Sequence, residues 1–271
     1  MDSVPEPPVL PKKYDLFGVQ VSEASYATEL GAVLHAAKTC QALCVTHLAV
    51  HGLVEGASDQ ELQGKLNEFD IVAPDGQGVR HALNLLHKIH LPENCRGPES
   101  ICRICEGAAA EGVGVYFYGS TQSTVEALAH NLGVRFEGLT VVGAEPSLFR
   151  PLTEAEFEDL VGRINASRAG VVFIGLGCPL QEHFAHKLKP RVHAAVICVG
   201  AAFDFHAGNK KMAPVWVQKC SLEWLYRLLH EPRRLFKRYL ITNSIFVLKL
   251  LGSLCSPRRQ LRGQASHMEA E

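Results

Sequence analysis

Two groups of side chains in this 271-residue sequence have the types and spacing to do chemistry. The first is Asp75, in "APDGQG", between the apolar run "FDIV" and the helix-like "VRHALNLLHKI". A carboxylate at a strand end inside a cleft can take a proton from a hydroxyl, provided partial burial raises its pKa toward neutrality. The positive end of the helix that follows works against that rise. The same position also suits a ribose partner, a metal ligand or the N-cap of the following helix. The metal role lacks an Asp-x-Asp pair nearby. The second group is basic: residues 214–262 carry ten Lys or Arg against two Glu, which predicts an anionic partner. If residues 222–238 formed one helix, Arg227, Arg234 and Arg238 would fall along one side with Lys237 adjacent. Guanidinium groups gathered at one cleft suit a diphosphate, held by charge-assisted bidentate hydrogen bonds. A solvated face or a phospholipid contact would use the same charges.

Other reactive side chains carry weaker signals. Cys102 and Cys105 form one C-x-x-C with no second pair at zinc-binding spacing, which favours core thiols on a helix. His47 and His51 are four apart, but "HLAVH" lacks the Glu of a zinc-protease motif. Thr46 and His47, at a strand end, are expected to line the same cleft as Asp75.

The elements that must position these residues repeat one pattern. "ALCVTHL", "DIVAP", "GVGVYFYGST", "LTVVGAEPSLF", "GVVFIGLGCP" and "AAVICVGAAFD" read as strands, alternating with amphipathic helices such as "SDQELQGKLNEF" and "LQEHFAHKLKP". Thr153 and Glu156 make a capping box before "EAEFEDLVGRINAS". Continuous apolar strands alternating with helices predict an α/β fold, a mostly parallel Rossmann-like sheet covered on both faces. Ligands bind such sheets beyond the carboxyl ends of the strands, where helix N-termini present free N–H groups. Those ends include Gly119 and Ser120, Gly175 and Gly177, and Gly200, and their glycines serve either tight turns or close ligand approach. "GLG" is short of the full dinucleotide fingerprint, which argues against a nicotinamide dehydrogenase, and no P-loop is present.

The expected organisation is a flexible, proline-rich leader over residues 1–13, an α/β catalytic domain over 14–213, a basic helical appendage over 214–255 and a loose tail over 256–271. In the appendage, Trp224, Leu225, Leu228 and Leu229 mark one apolar face, and Pro232 starts a second helix. Its longest apolar run, "SIFVLKLLGSLC", is interrupted by Lys249 and is shorter than the roughly 20 residues a spanning helix needs. The chain is expected to touch a membrane without crossing it. Nine cysteines without a regular framework, and no apolar h-region in the leader, point to a reducing cytoplasm.

"PDGQGV", "VYFYGST", "GLGCPLQE", "VGAAFDFHAG" and "APVWVQKCSLEWLYRLLHEPRRLFKRYLITN" resemble, in order and spacing, the signatures of the WecG/TagA/CpsF glycosyltransferases over residues 14–250. The resemblance implies a GT-E-like fold and a bacterial inverting enzyme peripheral on the inner face of the cytoplasmic membrane. Such an enzyme moves a sugar from a UDP-sugar to a saccharide on polyprenyl diphosphate during surface-polysaccharide synthesis. It implies no metal or other cofactor and no nucleic acid, and it leaves a homo-oligomer open. By resemblance Asp75 is the catalytic base, Thr46 is the strand-end threonine, and Gln181 is a sugar or active-site contact. Asp204 lies beside the nucleotide, and Arg227, Arg234, Lys237 and Arg238 hold the donor diphosphate. The chain departs from the family in "NCRGPES", where Asn94 and Glu99 replace an arginine and an aspartate, and at Leu180, where lysine is common. These changes bear on acceptor or sugar preference, with Arg96 two positions from the missing arginine. A non-enzymatic reading remains, an inert transferase fold that binds anionic membrane through its basic end.

Overall fold

A computed structural model describes residues 8–219 and 222–255, apart from the side chains of Val215, Lys219 and Arg234. Residues 1–7 of the expected leader and the expected 256–271 tail lie outside the described residues. The last leader position, Lys13, already belongs to a hairpin formed by β1 (Lys13–Leu16) and β2 (Val19–Ser22). Its turn residues Phe17 and Gly18 both have positive φ, 61° and 94°, the geometry whose twist matches the flanking strands.

Six strands follow in one sheet: β3 (Leu43–Leu48), β4 (Ile71–Pro74), β5 (Val115–Gly119), β6 (Val141–Glu145), β7 (Val171–Gly175) and β8 (Ala195–Cys198). Their spatial order is β4-β3-β8-β7-β5-β6 and every neighbour is parallel, which is the Rossmann-like layout the sequence predicts. The strands β3, β5 and β8 are buried along their whole length because both faces of the sheet are covered. On one face lie α1 (Tyr26–Thr39), α5 (Gly97–Glu111), α6 (Gln122–Arg135) and α9 (Ala202–His206). On the other lie the hairpin, α2 (Val50–Gly56), α3 (Gln60–Asn67), α4 (Gln77–His87), α7 (Glu154–Ser167) and α8 (Leu180–Leu188). The predicted capping box at Thr153 and Glu156 is present at the start of α7, and Ser25 with Thr28 forms another at α1.

Strand parity decides which residues meet which layer. Leu43 and Val45 of β3 pack under α1 and α5, whereas Cys44 and Leu48 face the opposite layer. Consecutive strand residues point to opposite faces, so Thr46 and His47 cannot share one cleft wall. The chain leaves β3 toward β4 on one side and reaches the adjacent β8 from β7 on the other. The carboxyl ends of β3 and β8 are therefore the switch point at which open parallel sheets bind ligands.

After the sheet come α10 (Val215–Lys219), α11 (Glu223–His230) and α12 (Pro232–Cys255). Pro232 opens α12 as expected, and Glu231 before it leaves the helical region at φ −131°, ψ 54°. The single helix face anticipated across 222–238 is therefore broken in two. The apolar face of α11 is only partly covered: Trp224 and Leu225 are partly exposed and Leu229 is 72% exposed. The apolar run at the C-terminal end is longer than expected, because α12 continues unbroken and Leu235–Cys255 is long and apolar enough to cross a membrane by length and composition. One side of that helix nevertheless docks on α2 and α4. Leu235, Thr242 and Phe246 are buried, the Phe246 ring meets Phe17 edge-on at 5.8 Å, and Lys249 Nζ donates to the Ala57 carbonyl at 3.4 Å.

Phe117 is fully buried at the sheet centre, stacked on Phe173 at 5.5 Å and edge-on to Phe203 at 6.0 Å. Phe117→Ala should cost about 3–5 kcal/mol, read as a lowered urea midpoint with unchanged slope. Leu180→Ala, at an exposed position, should stay within about 0.5 kcal/mol of the parent.

Candidate active site

A cavity of about 1060 Å³ opens beyond the carboxyl ends of β3 and β4. Asp75, His47, Tyr26 and Arg96 line its sheet side, and Arg227, Arg238, Tyr239 and Thr242 close it from α11 and α12. Asp75 is delivered there by "PDGQG". Pro74 ends β4 with its carbonyl accepting from Cys95 N–H, and Asp75 N–H donates to the Leu48 carbonyl at 3.1 Å. Gly76 turns the chain at φ 81°, a backbone value that suits glycine. Gly76, not Asp75, is the N-cap of α4, so the capping reading of Asp75 falls. Burial raises the Asp75 carboxyl above its ordinary range, against the pull of Arg227, with Glu223 raising it further and His47 and Arg96 lowering it.

The basic group assembles by helix packing and not along one helix. Arg227 comes from α11 and Arg238 from α12, and the two helices meet through an edge-on Trp224–Tyr239 contact at 6.5 Å. Glu223 ties the assembly to the sheet domain. Its carboxylate lies 2.6 Å from Arg227 and 3.1 Å from Arg96 Nε, and Arg96 also donates to Gln218 Oε1. The Arg227 guanidinium stacks over Phe205 at 5.2 Å. Lys237 is exposed and is not part of the cavity wall. Arg234 belongs to α12, but its side chain lies outside the described residues.

Thr46 does not line the cleft. It is fully buried on the opposite face, where its hydroxyl donates to Glu182 Oε1 at 2.9 Å. Gln181 joins the same carboxylate through Nε2 at 3.0 Å. Glu182 is fully buried and burial holds its carboxyl above the usual range despite those donors. Gly200 leaves room for the Gln181 side chain. Gly119, Ser120, Gly175 and Gly177 lie at the ends of β5 and β7, outside this cavity. Gly119 and Gly175 have a packing reason to be small, since a Cβ on Gly119 would meet the Gly175 carbonyl at 2.6 Å and one on Gly175 would meet the Phe203 ring at 2.5 Å. Asp204, also outside the cavity, pairs with Lys210 at 3.1 Å, and Lys210 reaches Glu231 of the appendage at 3.5 Å. Cys102 and Cys105 are buried on α5, and among the described residues no three His, Cys, Asp or Glu side chains gather as a metal site requires. Asn94 and Glu99 do line the cavity, Asn94 accepting from Gln77 at 3.1 Å and Glu99 paired with Arg103 at 3.0 Å.

A carboxylate facing guanidinium groups at a strand-end cavity is the arrangement the resemblance implies for sugar transfer. A sequence model described as the glycosyl transferase WecG/TagA/CpsF family matches residues 14–260. The chain belongs to this family. Among its relatives, a Bacillus spizizenii protein named N-acetylglucosaminyldiphosphoundecaprenol N-acetyl-beta-D-mannosaminyltransferase is 28% identical over 218 residues, covering 79% of this chain and 82% of that protein. A Bacillus subtilis protein of the same name is 27% identical over 184 residues, covering 67% and 69%. In this WecG/TagA/CpsF glycosyltransferase the residues missed by the sequence reading are Glu223, Glu182 and Glu29. Glu223 had a visible signal, its four-residue spacing from Arg227. Glu29 meets His47 and Ser100, and Glu182 meets Thr46, only across the fold.

Because the folded carboxyl of Asp75 titrates above its unfolded value, the stability it contributes when protonated is lost as pH rises through that raised value. Asp75→Asn should therefore unfold at a higher denaturant midpoint than the parent at neutral pH. The gain should shrink as pH falls and vanish by about pH 3, below the ordinary Asp value, where the parent carboxyl is protonated in both states.

Proposed function

We propose that this glycosyltransferase takes a UDP-linked N-acetylhexosamine as donor and a saccharide carried on polyprenyl diphosphate as acceptor. The observation that carries this reading is the convergence of Asp75 with Arg227 and Arg238 on one cavity. As the acceptor hydroxyl oxygen bonds to the anomeric carbon, its proton passes to Asp75. The bond from that carbon to the β-phosphate oxygen breaks, and UDP departs with the electron pair. Attack from the side opposite the leaving group inverts the configuration. The negative charge that develops on UDP is met by guanidinium groups already in place. Raised by burial yet held by neighbouring cations, Asp75 is suited to take a proton near neutral pH.

The acceptor class is supported by the two relatives' names and by the surface beside the cavity. Trp224, Phe246 and Val247 are part of the cavity wall, and from there α11 and α12 present Leu229, Phe236, Leu240, Leu248 and Leu251 outward, with basic side chains among them. An apolar face with cationic side chains lies in the headgroup region of an anionic bilayer. Peripheral attachment by this face brings a lipid-linked acceptor to the cavity mouth. The docked side of α12 favours a helix lying along the membrane over one crossing it.

With UDP-N-acetylhexosamines and a lipid-linked saccharide, Asp75→Asn should lower transfer by at least about 10³-fold while UDP affinity, measured by calorimetry, stays within a few-fold. Arg227→Ala should weaken UDP binding by about tenfold or more, the scale of one charged hydrogen bond. Near-normal turnover by Asp75→Asn would remove the base from this reading, and unaltered UDP affinity in Arg227→Ala would remove the diphosphate clamp. The membrane role is checked separately. Leu248→Glu with Leu251→Glu should leave the folded stability within about 1 kcal/mol and release the protein from anionic vesicles in a sedimentation assay.

A further inference from the structure

His47 and Glu29 form an ion pair inside the protein that the proposed transfer does not use. Both side chains are almost entirely buried, and Nε2 of His47 approaches Glu29 Oε1 obliquely at 3.0 Å. The other ring nitrogen, Nδ1, is 3.0 Å from the Cys198 carbonyl, which can only accept, so it carries a proton. Ser100 donates to the same Glu29 oxygen at 2.6 Å, and the second oxygen of Glu29 has no hydrogen-bond partner among the described residues. A pair this deep inside a protein costs desolvation on both sides and is weak evidence of stabilisation. Its position suggests another use. His47 lies opposite Ala73 in the β3–β4 register, so the side chain of Asp75, two residues on, belongs to the same face of the sheet. Both side chains line the cavity.

We propose that Glu29 and His47 form a positioning device for Asp75, in which Glu29 holds His47 as a cation and that cation keeps the neighbouring carboxylate ionised while the acceptor hydroxyl arrives. The inference rests on the reading of Asp75 as the base. Burial alone would lower His47, but the adjacent Glu29 carboxylate, with the Cys198 carbonyl and Asp75, raises it to about 9. The same electrostatics act in reverse on Asp75, whose carboxyl His47 draws down against its burial. The groups that bear on the pair are Glu29 and Tyr26 from α1, Cys95 and Arg96 before α5, and Glu223 and Arg227 from α11. Arg96 and Arg227 share Glu223 as a counter-charge, which leaves His47 as the cation on Asp75's own sheet face whose partner lies behind it. His47 is a positioning residue, acting on the substrate only through Asp75.

The test compares pH profiles. Asp75 must be ionised to accept a proton, so the rate falls as pH drops through its titration. Removing the adjacent cation moves that fall to higher pH. In the full-length enzyme, His47→Gln should move the acid limb of the kcat/KM profile to higher pH, so that the loss on that limb exceeds the loss on the plateau by about tenfold. An equal loss at every pH would overturn the proposal, since a packing defect carries no such signature. If His47→Gln does not fold, NMR titration of the imidazole in the parent and in Asp75→Asn decides the matter. His47 should remain charged above about pH 8 in the parent and titrate at lower pH in Asp75→Asn, because coupling between two charges is reciprocal. A His47 neutral at about pH 7, or one whose titration ignores Asp75→Asn, would overturn the proposal. Normal transfer by Asp75→Asn with the two titrations still coupled would instead remove Asp75 as the base and leave the electrostatic pair standing.

Discussion

One carboxylate, Glu223, holds the two halves of the site together. It accepts from Arg227 on its own helix and pairs with Arg96 just before α5, so α11 is tied to the sheet at the cavity. Neither contact alone would suffice in water, where an exposed ion pair contributes little. At the wall of a partly buried cavity the carboxylate sits between two guanidinium groups, one on each of its oxygens, and the trio keeps a net positive charge beside Asp75. Lys210, bridging Asp204 and Glu231, adds a second tie at the far end of α11. These ties fix α11 and its Arg227 against Asp75, while Arg238 is placed by the docking of α12 on α2 and α4.

The sheet then sorts its charged residues by parity. Asp75 and His47 point to the face covered by α1 and α5, and Thr46 points to the face covered by α8, where Gln181 and Glu182 wait. Two buried acidic clusters are thereby kept apart by one layer of backbone. Each holds a carboxyl whose ionisation burial opposes, Asp75 on one side and Glu182 on the other. Such groups reduce stability when ionised, a cost that protein folds carry at functional positions. The stacked aromatic centre of Phe117, Phe173 and Phe203 supplies apolar burial that offsets it.

The appendage adds a surface to the chemistry. Its inward side carries Leu235, Thr242 and Phe246, while its outward side carries large apolar residues between cations. A helix divided in this way is stable against the protein and against a lipid surface at the same time. The cavity wall passes into that surface through Trp224 and Val247, the continuity that the proposed lipid-linked acceptor would require.

Local pattern alone determined a good deal of this protein. Alternation of apolar strands with helices was enough for a parallel α/β sheet, Pro232 for the start of the last helix, Thr153 with Glu156 for a cap, and the spaced signatures for the family. These signals act over a few residues, through backbone sterics, caps and periodicity, and need no knowledge of distant contacts. Other features depended on the folded chain. The face to which Thr46 turns, the break at Glu231 that separates Arg227 from Arg238, and the meeting of Glu29 with His47 and of Glu223 with Arg96 are products of strand register and helix packing. The charges in those pairs come from elements far apart in sequence, and burial gives their interactions most of their strength, so only the tertiary structure could decide them.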